Sequence, residues 1–331
     1  MIRSKKGFTL VELMVVISII GVLAAALIAP VTGARRTARA VRCKANLKNL
    51  AQAAHSYALD SAGGGKGILR HGNHLPSAGT YERDGGVDDN GRINFVVTLG
   101  WVSGYNTVFP WPSLGTPILG KNADNRASYP FFNDNEPAVY QSITNGALWK
   151  YVGANLSVYV CDEHKSVAKN AGCKNVLRSY VMNAYFGCNL PNTYASNDAE
   201  YPKGREWVCR LENLSTRGSA STLLMFAELP AYNASGNAEV KKSLGESDGI
   251  LDVQIKGYYT SKPGAEEIIG FNHKTAKRMI AHVAYADGHV DAIMSPEGAT
   301  LSELRDLTYL LCNGFEVPAR KSDWSSARQE F

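Results

Sequence analysis

The sequence predicts an α+β protein in which a long N-terminal α-helix, part transmembrane and part stem, packs on a loop-rich head with an antiparallel sheet. Three observations carry that expectation. Phe8 to Val31 is a run of 24 residues with a single charge, Glu12. Helical spacing of small and apolar residues then continues to Leu59. Beyond residue 60, short apolar runs alternate with stretches dense in Gly, Asn, Asp and Pro, the punctuation of short strands and turns.

The chain has 331 residues, 45% of them hydrophobic and 9% aromatic, enough to bury a core and unlike a disordered or collagen-like composition. Its net charge of +5 is uneven. Residues 1–48 hold nine basic side chains against one acid, which leaves −3 on the other 283 residues. The basic excess therefore lies off the folded head, and a nucleic-acid partner is not expected.

The first element is the apolar run. At about 1.5 Å per residue, a helix of that length covers about 36 Å and can cross a hydrocarbon core of about 30 Å. A secretory signal would have a shorter run and a small-residue cleavage site, whereas Ala24, Ala25 and Ala26 sit inside this one and the helical pattern continues past it. Residues 1–7 then read as a leader, 8–31 as the transmembrane segment, 32–60 as a stem and 61–331 as the head. The leader carries Arg3, Lys5 and Lys6, while six basic residues lie between Arg35 and Lys48, so loop charge alone does not set the orientation. Glu12 is an anomaly within the run, because a carboxylate deep in a bilayer costs about 2.5–3.5 kcal/mol and calls for a partner.

Gly7-Phe8-Thr9-Leu10-Val11-Glu12, behind a short basic leader and ahead of a Val/Ile/Ala-rich run, resembles the processing site of type IV pilins and type II secretion pseudopilins. The resemblance implies cleavage after Gly7 by a prepilin peptidase, methylation of the new terminus at Phe8, and an assembly role for Glu12. In that family the carboxylate neutralises the terminal amine of a neighbouring subunit, the partner that burial of a charge requires. The implied partners are the peptidase and other pilin-like subunits. The implied location is the inner membrane, with a cytoplasmic leader and a periplasmic head.

In the stem, Val31, Ala34, Ala38, Val41, Ala45, Leu47, Leu50, Ala51, Ala54 and Ala58 are expected to form the packed stripe. Arg35, Arg36, Arg39 and Arg42 are expected on a solvated, membrane-proximal face or against headgroups and neighbouring subunits. Pro30 to Gly33 should kink or melt the helix, and the glycines of Ser61–Gly67 should end it. In the head, 139–152 suggests a helix, and Leu156–Val160 a strand leading to Cys161. Ser221–Leu229 and Met279–Ala286 read as buried strands, with Asp291–Met294 continuing past a turn. Leu301–Leu311 is an amphipathic helix capped by Thr300 or Ser302.

Cys161-Asp162, Ser179 to Asn183, Phe226-Ala227-Glu228, Asn272-His273 and Ala284 to Val290 follow the order seen in large pseudopilin-like proteins of planctomycete–verrucomicrobia type bacteria. Those proteins have a C-terminal His about nine residues before Asp-Gly. Here thirteen residues separate His273 from Asp287, and Cys161 is followed by Asp where that pattern often has Pro.

Candidate chemistry in the head is of three kinds. Asp287-Gly288 favours a tight two-residue hairpin turn; alternatively Asp287, His289, Asp291 and His273 converge on a metal or polar ligand. Six cysteines in an exported domain suggest one or two disulfides with buried thiols, in any of several connectivities. Cys161 and His164 with Cys173 and Cys188 offer a loosely spaced zinc set instead. Calcium, bound by the heads of the pseudopilins that the N-terminus resembles, has oxygen-rich candidates at 84–90, 124–125 and 248–252, none with full loop spacing; no cofactor is otherwise expected.

Neither a nucleophile elbow nor a zinc-protease or dinucleotide motif occurs, so an enzyme is not expected, although Glu228, Asp287 and the seven histidines offer groups for a site built in space. A structural filament subunit is the leading expectation. The rivals are a membrane-anchored glycan-binding protein using Trp101, Tyr105, Trp111 and Tyr129, and an anchored enzyme using the region of His273, Asp287 and His289.

Overall fold

The computed structural model describes residues 8–60, 75–76, 81–87, 93–98, 101–102, 140, 143–170, 177–183, 185–186, 211, 214, 218–230, 250–251, 268–275 and 278–323. The N-terminal helix α1 (Leu10–Leu59) is continuous for 50 residues. It passes through Pro30–Gly33 without a break, which corrects the expected melting. Loss of one backbone bond to a proline destabilises a helix by about 3 kcal/mol without having to end it. Thr37 Oγ1 donates to the Gly33 carbonyl at 3.2 Å.

From Phe8 to Ala24 the side chains of the N-terminal segment are uncovered. Phe8, Leu10, Val11, Leu13 and Met14 begin a series of large exposed apolar side chains, reaching Leu23, that no other described residue buries. Among the described residues no helix is long and apolar enough to cross a membrane; the apolar side chains described end at Ala24, while the expected span runs on to Val31.

The second half is docked. Cys43, Asn46, Leu47, Leu50, Ala51, Ala54 and Ala58 fall on one helical face and are buried. The stripe holds from Leu47 onward but not before it: Val41 is 61% exposed, and Ala34, Ala38 and Ala45 face outward. Cys43 and Asn46 take the expected places of Val41 and Ala45. Asn46 Nδ2 donates to the carbonyls of Ser157 and Val160, both at 3.0 Å.

The head centres on a six-stranded sheet. Its strands are β3 (Tyr180–Asn183), β4 (Leu224–Glu228), β5 (Ile250–Leu251), β6 (His273–Lys274), β7 (Met279–Tyr285) and β8 (Val290–Met294), after a separate hairpin of β1 (Tyr81–Val87) and β2 (Ile93–Thr98). All pairs are antiparallel except β3 with β5. β8 lines one edge of β7, and the other edge is shared: β4 pairs with its C-terminal half through Ala227↔Val283, and β6 with its start through His273↔Ile280. The end of β4 and the start of β6 therefore meet beside the middle of β7.

One face of the sheet, with Tyr180, Met182, Phe226 and Ala284, packs under α1. The opposite face, with Val181, Leu224, Ala227, Ala281 and Val283, packs on the C-terminal helix α3 (Leu301–Cys312) through Leu307, Leu310 and Leu311. A bulge between Leu224 and Phe226 puts Met225 and Phe226 on the same side. Thr300 caps α3 and exchanges bonds with Glu303.

Two further expectations are corrected. Leu156–Tyr159 is a 3₁₀ turn rather than a strand, because the Asn155 side chain accepts from the Ser157 N–H at 3.0 Å and starts a local turn. The expected 139–152 helix is helical at 140 and 143–144, but from 145 on it gives way to tight turns that run to 154, closed by bonds such as Gly146 N–H to the Ile143 carbonyl.

Gly270 lies between β4 and β6, where a Cβ would meet the backbone of Leu229 and Pro230. Gly270→Ala is expected to destabilise the protein by more than about 2 kcal/mol, read as a lower urea midpoint. An unchanged midpoint would contradict the close backbone approach.

Candidate functional site

Where β4, β6 and β7 converge beneath α1, polar side chains gather in the buried interior. Glu228 ends β4 with no exposed surface. Its Oε1 faces the Cys43 thiol from α1, His273 Nε2 at 2.9 Å and His282 Nδ1 at 3.1 Å. Its Oε2 accepts from Asn272 Nδ2 at 3.0 Å. His273 Nε2 also lies 3.3 Å from Cys161 Sγ, and the rings of His273 and His282 are 4.3 Å apart. Tyr180 Oη donates to Cys43 Sγ at 3.2 Å, and the His164 backbone N–H to Cys161 Sγ at 3.4 Å. Cys161 precedes helix α2 (Asp162–Asn170), whose first-turn acids pair with the stem: Arg39 with Glu163 and Arg42 with Asp162, both at 3.0 Å. The expected solvated arginine face is thus partly a seam with the head. At its exposure each pair is worth about 0–1 kcal/mol.

The electrostatics follow from the partners. Burial works to raise the Glu228 pKa, but the bonds and charges of His273 and His282 override it and bring it down to about 2. Burial works to lower that of His273, but its bonds to Cys161 and Glu228, with their negative charge, hold it up to about 10. Cys161 is lowered, first by its bond with Cys43, against burial, and further by His273. Cys43 is pushed up by burial and by the bond and charge of its acidic neighbours. The arrangement is a buried acid–base network with four soft and hard donors facing one point: Cys43, Cys161, Glu228 and His273.

This assembly differs from both sets expected from sequence. His273 belongs to it, but Asp287 and His289 pair with each other at 2.5 Å on the exposed turn between β7 and β8. Asp287 lies in the turn beyond Tyr285, the end of β7, which is itself about 17 Å along the strand from the His273 partner Ile280. The exposed Asp291 carboxylate on β8 bonds the adjacent Ala292 N–H. The four do not converge, because β7 separates them along its length. The turn itself has three residues: Gly288 N–H bonds the Tyr285 carbonyl, Tyr285 N–H bonds the His289 carbonyl, and only Gly288 takes positive φ.

Of the second set, Cys161 is in the cluster, His164 turns its Nδ1 to the Leu229 carbonyl at 3.0 Å, and Cys173 and Cys188 lie outside the described residues. Cys43, Cys161 and Cys312 are buried thiols, not disulfides. Of the calcium candidates, 84–90 is described only to Val87, in β1, 248–252 only at Ile250–Leu251, and 124–125 lies wholly outside the described residues. Trp101 is buried against Tyr159 and Phe226 rather than displayed on a loop, and Tyr105, Trp111 and Tyr129 lie outside the described residues. The residues that sequence spacing did not bring to the site are Cys43 in the stem, Asn272 beside His273, and His282 within the expected strand Met279–Ala286. A cysteine in register with Leu47, Leu50 and Ala54 was the available signal.

At the other end of the chain, Phe8 is 79% exposed and Gly7 lies outside the described residues. Thr9 caps α1, and its N–H and Oγ1 both donate to Glu12 Oε2 at 2.8 Å, while Glu12 N–H bonds Thr9 Oγ1 at 3.3 Å. Glu12 thus closes a capping box one residue from the predicted cleavage product's amine.

In protein stripped of metal by a chelator, stability is expected to be highest between pH 4.5 and pH 6.5, the ordinary values of a glutamate and a histidine. Glu228 is depressed on folding, so its contribution is complete above 4.5 and is lost as the pH falls toward 2. His273 is raised, so its contribution is complete below 6.5 and is lost as the pH rises toward 10. Urea midpoints across that range check this: Glu228→Gln should lower the maximum by about 3 kcal/mol or more and flatten the acid limb. A wild-type curve flat from pH 4.5 to pH 2 would contradict it.

Residues 2–28 match the family model of the prokaryotic N-terminal methylation motif. No curated protein and no solved structure matches the chain. Gly7-Phe8, the Thr9–Glu12 box and the exposed apolar side chains up to Leu23 lie within that match, and the chain carries a prepilin-type segment of the type IV pilin-like and pseudopilin kind.

Proposed function

We propose that the protein is a structural subunit of a pseudopilus or pilus-like filament, serving type II secretion or a related system. A prepilin peptidase cuts after Gly7 and methylates Phe8. The segment 8–31 resides in the inner membrane before assembly, and the head stands in the periplasm. The observation that carries this reading is the coincidence of the methylation motif at 2–28 with a helix whose apolar side chains, from Phe8 to Leu23, have no cover among the described residues. An apolar surface of that extent needs lipid or other helices around it. In a filament, the same face packs against copies of itself or related subunits.

Glu12 acts in this reading by exchanging partners. Its carboxylate first closes the Thr9 box within its own chain and then meets the methylated Phe8 ammonium of a neighbour, an ion pair far less costly in an apolar bundle than either charge alone. No catalytic role is assigned to the head. The rival glycan-binding reading loses Trp101 as a displayed aromatic, and the rival enzyme reading loses the convergence of His273 with Asp287 and His289.

Glu12→Val is expected to leave cleavage after Gly7 intact while reducing incorporation into sheared or purified filaments by at least about tenfold, the effect of one unpaired ammonium in an apolar bundle. Immunoblots of the processed membrane pool and of the filament fraction read the two steps separately. Normal incorporation of the variant would overturn the assembly role.

A further inference from the structure

We propose that the buried cluster between stem and head binds one divalent transition-metal ion of the zinc class, through Cys43 Sγ, Cys161 Sγ, His273 Nε2 and a Glu228 carboxylate oxygen. The four donor atoms lie within 4.8 Å of one another, and all four residues are buried. Tetrahedral zinc, with bonds of about 2.0–2.3 Å, holds its ligand atoms about 3.3–3.8 Å apart, so the set closes on an ion by shifts of about an ångström. Two sulfurs, an imidazole and a carboxylate suit zinc rather than calcium or magnesium, which take oxygen ligands.

Bonds from outside the set reach three of the four donors and favour their anionic, metal-binding forms. Tyr180 Oη donates to Cys43 Sγ, the His164 N–H to Cys161 Sγ, and Asn272 Nδ2 to Glu228 Oε2, while His282 Nδ1 contacts Glu228 Oε1. Outer contacts of this type orient ligands and steady their negative charge. Without an ion the cluster is over-subscribed: one carboxylate oxygen faces a thiol and two imidazoles, and one imidazole nitrogen, with a single hydrogen to give, faces both a sulfur and that oxygen. A cation at the shared point satisfies all four donors at once.

Full burial and four protein ligands make this a structural site, without an open position for substrate. Cys43 comes from the stem helix, Cys161 from the start of α2, Glu228 from the end of β4 and His273 from β6. The ion therefore staples stem to head, and its binding energy becomes part of the energy of docking. This inference does not depend on the filament reading.

The test uses the full-length chain in detergent, reduced, stripped with a chelator and reloaded with zinc or cobalt(II). One equivalent of zinc per chain is expected by elemental mass spectrometry, and the cobalt form should show sulfur-to-metal charge-transfer absorption with the visible bands of a tetrahedral ion. Cys43→Ser, Cys161→Ser and His273→Ala should each weaken binding at least about tenfold, while Cys312→Ala keeps it. Because a variant can misfold, the wild-type cobalt spectrum decides independently. The proposal is overturned if the folded wild type takes up less than about a tenth of an equivalent without a sulfur–cobalt band. It is also overturned if alkylation of the protein from membranes finds Cys43 and Cys161 joined as a disulfide.

Discussion

A carboxylate without exposed surface must be met by donors or counter-charges, or the fold that buries it is strongly destabilised. Glu228 imposes that requirement on this head, and much of the architecture answers it. The edge of β7 is divided between β4 and β6, which brings His273 and His282 to the same oxygen. Asn272 donates to the other oxygen, and the stem helix closes the remaining side with Cys43. The contact that satisfies the acid therefore also fixes where the stem lies on the sheet. Apolar burial along Leu47, Leu50, Ala51 and Ala54 supplies the area, whereas the polar cluster supplies the register.

That register matters because α1 serves two surroundings within one continuous helix. Below the cluster it is a packed element of the head, and above it every large side chain from Phe8 to Leu23 is uncovered. An unbroken helix transmits the orientation of the docked half to the uncovered half, which a melted Pro30–Gly33 segment would not do. The pairs of Arg39 with Glu163 and Arg42 with Asp162 extend the seam by one more turn toward the uncovered half, with little energy but a defined geometry.

How much of this was legible in the sequence depends on the range of the interaction concerned. The apolar run, the Gly7-Phe8 junction and Glu12 are contiguous and stand out against a strict local pattern. β7, the Asp287-Gly288 turn, β8 and the capped helix α3 are legible for the same reason, since period and cap chemistry are local. Leu156–Tyr159 misled because an Asn cap outweighs a short apolar run. The buried cluster was largely hidden: Cys43 and Glu228 are 185 residues apart, and only the sheet pairing brings them together. A glutamate inside Leu223–Leu229 and a cysteine on the packed face of the stem were the two visible signs, each ordinary by itself. Spacing instead pointed to His273 with Asp287, residues that β7 holds far apart.

The prepilin-type segment gives the uncovered helix a purpose, and the account stands or falls on whether that segment is processed. Intact mass and N-terminal sequencing of the full-length protein, expressed in membranes with and without an active prepilin peptidase, test this most directly. The account predicts a chain beginning at methylated Phe8 only when the peptidase is present. A chain that still begins at Met1 beside an active peptidase would contradict it and leave the apolar helix as an ordinary anchor for the head.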